Sequence, residues 1–104
     1  MMNKRQWIVL CLLAAGGVMQ AQQWPNTPVE TRPGARWWWL GSAVDEKNLT
    51  YNLEEYARTG MGAVEITPIY GVQGNDANDI QFLSPHWMEM LKHTQAEGKR
   101  TGIE

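Results

Sequence analysis

The phrase Gly62-Ala63-Val64-Glu65 returns at the end of the chain as Gly102-Ile103-Glu104, and each copy follows a helix-forming stretch that closes on glycine. Glu65 and Glu104 stand 39 residues apart, close to one strand-plus-helix unit with a long loop. Strands and helices that alternate in this way imply a parallel sheet with right-handed crossovers. The opening of such a sheet cannot bury its own core. The chain is therefore expected to be the front of a larger protein.

The elements follow from local pattern. Arg36-Trp37-Trp38-Trp39-Leu40 is a dense aromatic run ended by Gly41-Ser42 and reads as the first strand. Asp45 to Thr59 reads as the first helix of the repeat, with Leu49, Leu53, Tyr56 and Ala57 on one face. Asp45 is its expected N-cap, Gly60 its left-handed stop, and Glu54–Arg58 an expected i,i+4 pair. Gly62 to Thr67 reads as the second strand, and Pro68 to Leu83 as a long loop. Ser84-Pro85 opens the second helix, which buries Trp87, Met90, Leu91 and Thr94 and is expected to end at Gly98. Arg100 to Glu104 then begins a third strand. The order β-α-β-α-β suits a barrel or an open doubly wound sheet. Gly41-Ser42-Ala43-Val44 is not a glycine-rich phosphate fingerprint, which favours the barrel.

Residues 1–21 have the form of a bacterial signal peptide: Lys4-Arg5, then an apolar run from Trp7 to Met19, then a cleavage point at Ala21-Gln22. The run is short for a membrane span, so no stable membrane insertion is expected, and a retained N-terminal anchor is the alternative. Cys11 lacks the small preceding residues of a lipid-modified cysteine. Cleavage after Ala21 would leave residues 22–104 without cysteine, so disulfides could not staple the product in its secreted or periplasmic setting. It would also leave seven basic against eleven acidic residues, which gives no electrostatic reason to bind nucleic acid. Residues 22–34 hold Pro25, Pro28 and Pro33 and read as an extended lead-in.

Glu65 is the sharpest candidate for chemistry. Alternation places Val64 and Ile66 under the helices and Glu65 on the opposite face, near the C-terminal end of its strand, where barrels build their sites. Glu104 is expected to repeat that geometry beside Ile103. Each is a candidate sugar-hydroxyl acceptor, metal ligand or acid/base group. The plainer reading is a structural carboxylate bonded to an Arg or Trp of a neighbouring strand. Trp37-Trp38-Trp39 cannot all face one side. Aromatic faces stack on sugar rings, so Trp39 and then Trp38 are the candidate sugar contacts, against a plain core-filling role. His86, Glu89 and His93 share a helical stripe that reads as solvated surface. Asp76-Ala77-Asn78-Asp79 resembles part of a calcium loop, but without the acidic fifth position and the glycine at the sixth.

From Arg32 onward the chain resembles the start of glycoside hydrolase family 106, the secreted α-L-rhamnosidases. The matching residues are Arg32-Pro33-Gly34-Ala35-Arg36-Trp37-Trp38-Trp39, Thr59-Gly60-Met61-Gly62, Val64-Glu65-Ile66, Ser84-Pro85 with Trp87, and Gly102-Ile103-Glu104. The resemblance implies that residues 35–104 open a catalytic (β/α)8 barrel acting on oligo- or polysaccharides. It further implies an inverting mechanism with two glutamates and a calcium ion near the sugar. By the same resemblance the two glutamates belong to later strands, past residue 104, so this stretch carries no catalytic residue and no cofactor of its own. Glu65, Trp39, Trp38 and Glu104 then become pocket-wall residues. The competing readings are a non-catalytic secreted carbohydrate-binding protein and an inactive truncated product.

Overall fold

The computed structural model describes residues 1–15 and 23–104. Its elements, in order, are α1 (Lys4–Ala15), a 3-10 turn (Val29–Thr31), β1 (Gly34–Leu40), α2 (Glu46–Arg58), β2 (Ala63–Ile69), a second 3-10 turn (Asp76–Asn78) and α3 (Pro85–Thr101). The chain is thus mixed α/β with a two-stranded parallel sheet. α1 lies within the expected signal peptide, whereas the expected cleavage point at Ala21 lies outside the described residues. Among the described residues no helix is long and apolar enough to cross a membrane.

Both core helices begin where their capping residues dictate. The Asp45 carboxylate accepts the Asn48 backbone N–H at 3.0 Å and the Asn48 amide at 2.6 Å. These bonds, the backbone one first, hold its carboxyl below the usual aspartate range. The Ser84 hydroxyl accepts the Trp87 N–H at 3.2 Å, with Pro85 at the first helical position. On α2, Arg58 pairs with Glu55 rather than Glu54. Glu54 instead reaches Arg100 of α3 at 2.6 Å, and Arg100 also holds Glu97. Glu97 first and then Glu54 push the Arg100 guanidinium further toward its charged form.

Gly98 does not end α3. The helix continues to Thr101 and stops at Gly102, whose φ of 76° is left-handed. Gly98 is buried, and its carbonyl accepts the Ile103 N–H at 2.9 Å. A Cβ there would lie 2.9 Å from the Ile103 carbonyl oxygen. The glycine allows a close crossing, and packing along the whole helix outweighs its poor helical propensity. The expected third strand shortens accordingly. Only its end pairs with β2: the Glu104 N–H donates to the Gly62 carbonyl at 2.9 Å, and the Val64 N–H donates to the Glu104 carbonyl at 2.8 Å. That is one rung of a parallel ladder.

β1 and β2 pair in register from Gly34 with Ala63 to Leu40 with Ile69. Trp37 and Trp39 are buried, and Arg36, Trp38 and Leu40 are exposed. α2 and α3 cover the first of these faces. Leu49 and Leu53 from α2, Trp87 and Met90 from α3, and Ile103 complete the core, with Val64 and Ile66 against its edge. The aromatic contacts are edge-on: Trp37–Trp39 at 5.9 Å, Trp37–Tyr56 at 5.5 Å and Trp39–Trp87 at 6.0 Å. The other face of the sheet carries no helix among the described residues.

Candidate functional site

Parallel α/β sheets place ligand sites at the C-terminal ends of their strands, because that end gathers the strand-to-helix loops. Here those ends are Gly41-Ser42 after β1 and Tyr70-Gly71 after β2. Gly41 and Ser42 are both left-handed, at φ 60° and 49°. This turns the chain sharply over the top of the sheet. Ser42 is buried, and its hydroxyl accepts the Trp87 indole N–H at 2.9 Å. β2 takes in Pro68 and Ile69, so the loop begins at Tyr70; it folds back onto the turn, with the Ile80 N–H bonded to the Gly41 carbonyl at 3.0 Å.

Between turn and loop lies an open cavity of about 650 Å³. Asp79, Gln81 and Ser42 supply its polar groups, while Ile69, Ile80 and Phe82 supply apolar ones. Among the described residues no basic side chain lines it. The Asp79 carboxylate rests against both glycines: a Cβ on Gly41 or on Gly71 would overlap its oxygens. The sequence pattern placed Asp79 only in an incomplete calcium-like loop and not in a strand-end cavity. Its signal was the pair of glycines just past the two strands, Gly41 directly after β1 and Gly71 two residues after β2.

The sequence candidates divide between the two faces of the sheet. Glu65 lies on the open face, but as the third residue of β2 and not near its C-terminal end, because the strand runs on past Thr67 to Ile69. It stands opposite Arg36 on β1, whose Nε donates to its Oε2 at 3.1 Å. This is the neighbouring-strand pairing that the plainer reading anticipates. Both side chains are more than half exposed, so the pair is worth only ~0–1 kcal/mol. Trp38 is 53% exposed on that same face, and Trp39 is 1% exposed in the core. Exposure therefore reverses their order, because odd positions of β1 face the helices. Glu104 is exposed, but its ladder bonds place it opposite Ala63, two residues below Glu65, instead of level with it. The open face thus carries Arg36, Glu65, Trp38, Thr67 and Leu40, with Glu104 toward its lower end.

The helical histidines serve contacts within the chain. His86 lies 3.5 Å from Glu89. His93 Nε2 lies 2.8 Å from the Thr50 hydroxyl and 3.1 Å from the Glu46 carbonyl oxygen, tying α3 to α2. Among the described residues no three His, Cys, Asp or Glu side chains converge as a metal site. The calcium that the resemblance implies has no ligand set in them, and no chemical step here involves it.

Over 81 residues, 76% of this chain, the sequence is 26% identical to a protein of Formosa agariphila described as a "Putative beta-glucuronidase". The chain spans about 7% of that protein's length. No family model matches the sequence, and no solved structure matches it.

Proposed function

We propose that this chain is the opening of a secreted glycoside hydrolase, a (β/α)8 barrel in the intact protein, acting on terminal α-L-rhamnosides of polysaccharides. The observation that carries the glycosidase part is the similarity over 76% of the chain to a protein described as a glycosidase. The rhamnoside part rests on the resemblance of the tryptophan run and the two Glu-bearing strand motifs. In this reading α1 belongs to a signal peptide removed near Gln22. The open face of the sheet forms part of a pocket wall, with Glu65 accepting a sugar hydroxyl from the lower half of β2 and Trp38 offering its exposed ring above it. The catalytic carboxylates lie on strands beyond those described here.

Such an enzyme would invert the anomeric centre, with one carboxylic acid protonating the leaving oxygen and a second carboxylate activating water. The residues of this chain would act earlier, by holding the ring in place. The test is the full-length protein assayed on p-nitrophenyl α-L-rhamnopyranoside and p-nitrophenyl β-D-glucuronide. Release from the rhamnoside is expected. Release from the glucuronide alone would overturn the sugar assignment. Sugar binding without release from any glycoside would leave a carbohydrate-binding protein, a reading that the exposed ring of Trp38 also favours.

A further inference from the structure

We propose that Asp79 is a binding residue of the strand-end cavity, accepting two hydroxyl hydrogen bonds from a sugar ring laid against Phe82. The proposal deepens the carbohydrate reading and rests on it. Asp79 lies in the loop after β2, apart from the open face that carries Glu65 and Trp38.

Three observations carry it. First, the carboxylate lies close against the turn after β1 and the start of the loop after β2. Its oxygens occupy the space where Gly41 and Gly71 lack a Cβ, and the next residue's N–H is bonded to Gly41 at 3.0 Å. Second, among the described residues no donor bonds to those oxygens, so the carboxyl group's acceptor sites face an open cavity unpaired. Third, the cavity is two-sided. Asp79 and Gln81 line it with polar groups, while Phe82, 58% exposed and braced edge-on against Trp87 at 4.9 Å, offers an apolar surface. A pyranose ring has the same two sides, with an apolar C–H face and hydroxyls around its rim. A carboxylate can accept from two neighbouring hydroxyls at once, and an aromatic ring packs on the C–H face. With no basic residue in the lining, a sugar bearing its own carboxylate would be repelled.

The test uses full-length protein and calorimetric titration with methyl α-L-rhamnopyranoside and methyl β-D-glucuronide. Asp79→Asn keeps the shape and removes the charge. It should weaken binding of the neutral glycoside roughly ten- to a hundredfold, tighten any binding of the glucuronide, and leave Tm unchanged. Gly71→Ala, which keeps the charge but displaces the carboxylate, should share the loss for the neutral glycoside. Wild-type affinity in both variants would overturn the proposal and leave the carbohydrate reading standing. So would a fall in Tm with unchanged affinity, which would make Asp79 a structural partner. Wild-type protein that binds neither glycoside would overturn both together.

Discussion

Three consecutive tryptophans on one strand meet two environments, and the pleat alone decides which. Trp37 and Trp39 fall on the helix side; Trp38 falls on the open side. Trp39 is enclosed by Trp37 and Trp87, and its indole N–H has no hydrogen-bond partner among the described residues, a cost of ~1–3 kcal/mol. The size of the ring outweighs that cost, since truncating a buried aromatic to alanine typically loses ~3–5 kcal/mol. Trp39→Ala should therefore cost the full-length protein about that much in denaturant unfolding. Trp38→Ala should leave stability nearly unchanged and weaken glycoside binding. Glu65→Gln should behave like Trp38→Ala, lowering kcat/KM roughly ten- to a hundredfold if Glu65 holds a sugar hydroxyl. Loss of stability from Trp38→Ala with unaltered affinity would show that its open face is buried by protein in the intact molecule.

Helices and strands were legible wherever local chemistry decides the outcome. Asp45 and Ser84 cap as their side chains dictate, and the apolar spacing of Leu49 and Leu53, and of Trp87 and Met90, selects the buried faces. What failed was the end of α3. A glycine late in a helix looks like a stop, but Gly98 is there for proximity: Ile103 crosses against it on the way to pairing beside β2. That is a tertiary fact, and helical periodicity carries no trace of it. The partner of Glu54 was missed for the same reason, since Arg100 lies on another helix. Asp79 read only as part of an incomplete calcium-like loop, because a loop of irregular backbone has no period and its surroundings depend on two glycines that folding brings together. Gly98→Ala sets two effects against each other. Helix propensity would gain up to ~1 kcal/mol, while the new methyl would crowd the Ile103 carbonyl at a cost of roughly 1–3 kcal/mol. The clash should win, because its contact atom is backbone and cannot swing away. The expected outcome is a lower Tm with faster hydrogen exchange at the Val64 and Glu104 amides. A raised Tm would mean that the chain after Gly102 yields easily.

At the scale of the whole molecule, the balance of covered and uncovered surface sets how residues 22–104 behave by themselves. Among the described residues seven buried apolar side chains form the core, all on the helix side of the sheet. The opposite side leaves Trp38 and Leu40 exposed, at 53% and 43%. On the helix side, a second cavity of about 680 Å³ opens over Leu53, Val64, Ile66 and Ile103, which a further helix or strand could fill. A two-stranded sheet gains independent stability only from what packs on it, and here one face has that support and the other does not. Exposed apolar sheet faces and unpaired strand edges drive association. Residues 22–104 expressed alone should therefore be molten or aggregated. Helical far-ultraviolet signal should be present, near-ultraviolet signal from the tryptophans weak, and a hydrophobic dye should bind. In the full-length barrel proposed above, the same residues should show ordered tryptophan signal, because neighbouring strands would pair with the free edges of the sheet and hold Trp37 and Trp39 in place. A sharp cooperative transition from a monodisperse 22–104 segment would refute this, and would show that the seven-residue core is enough to hold two strands and two helices.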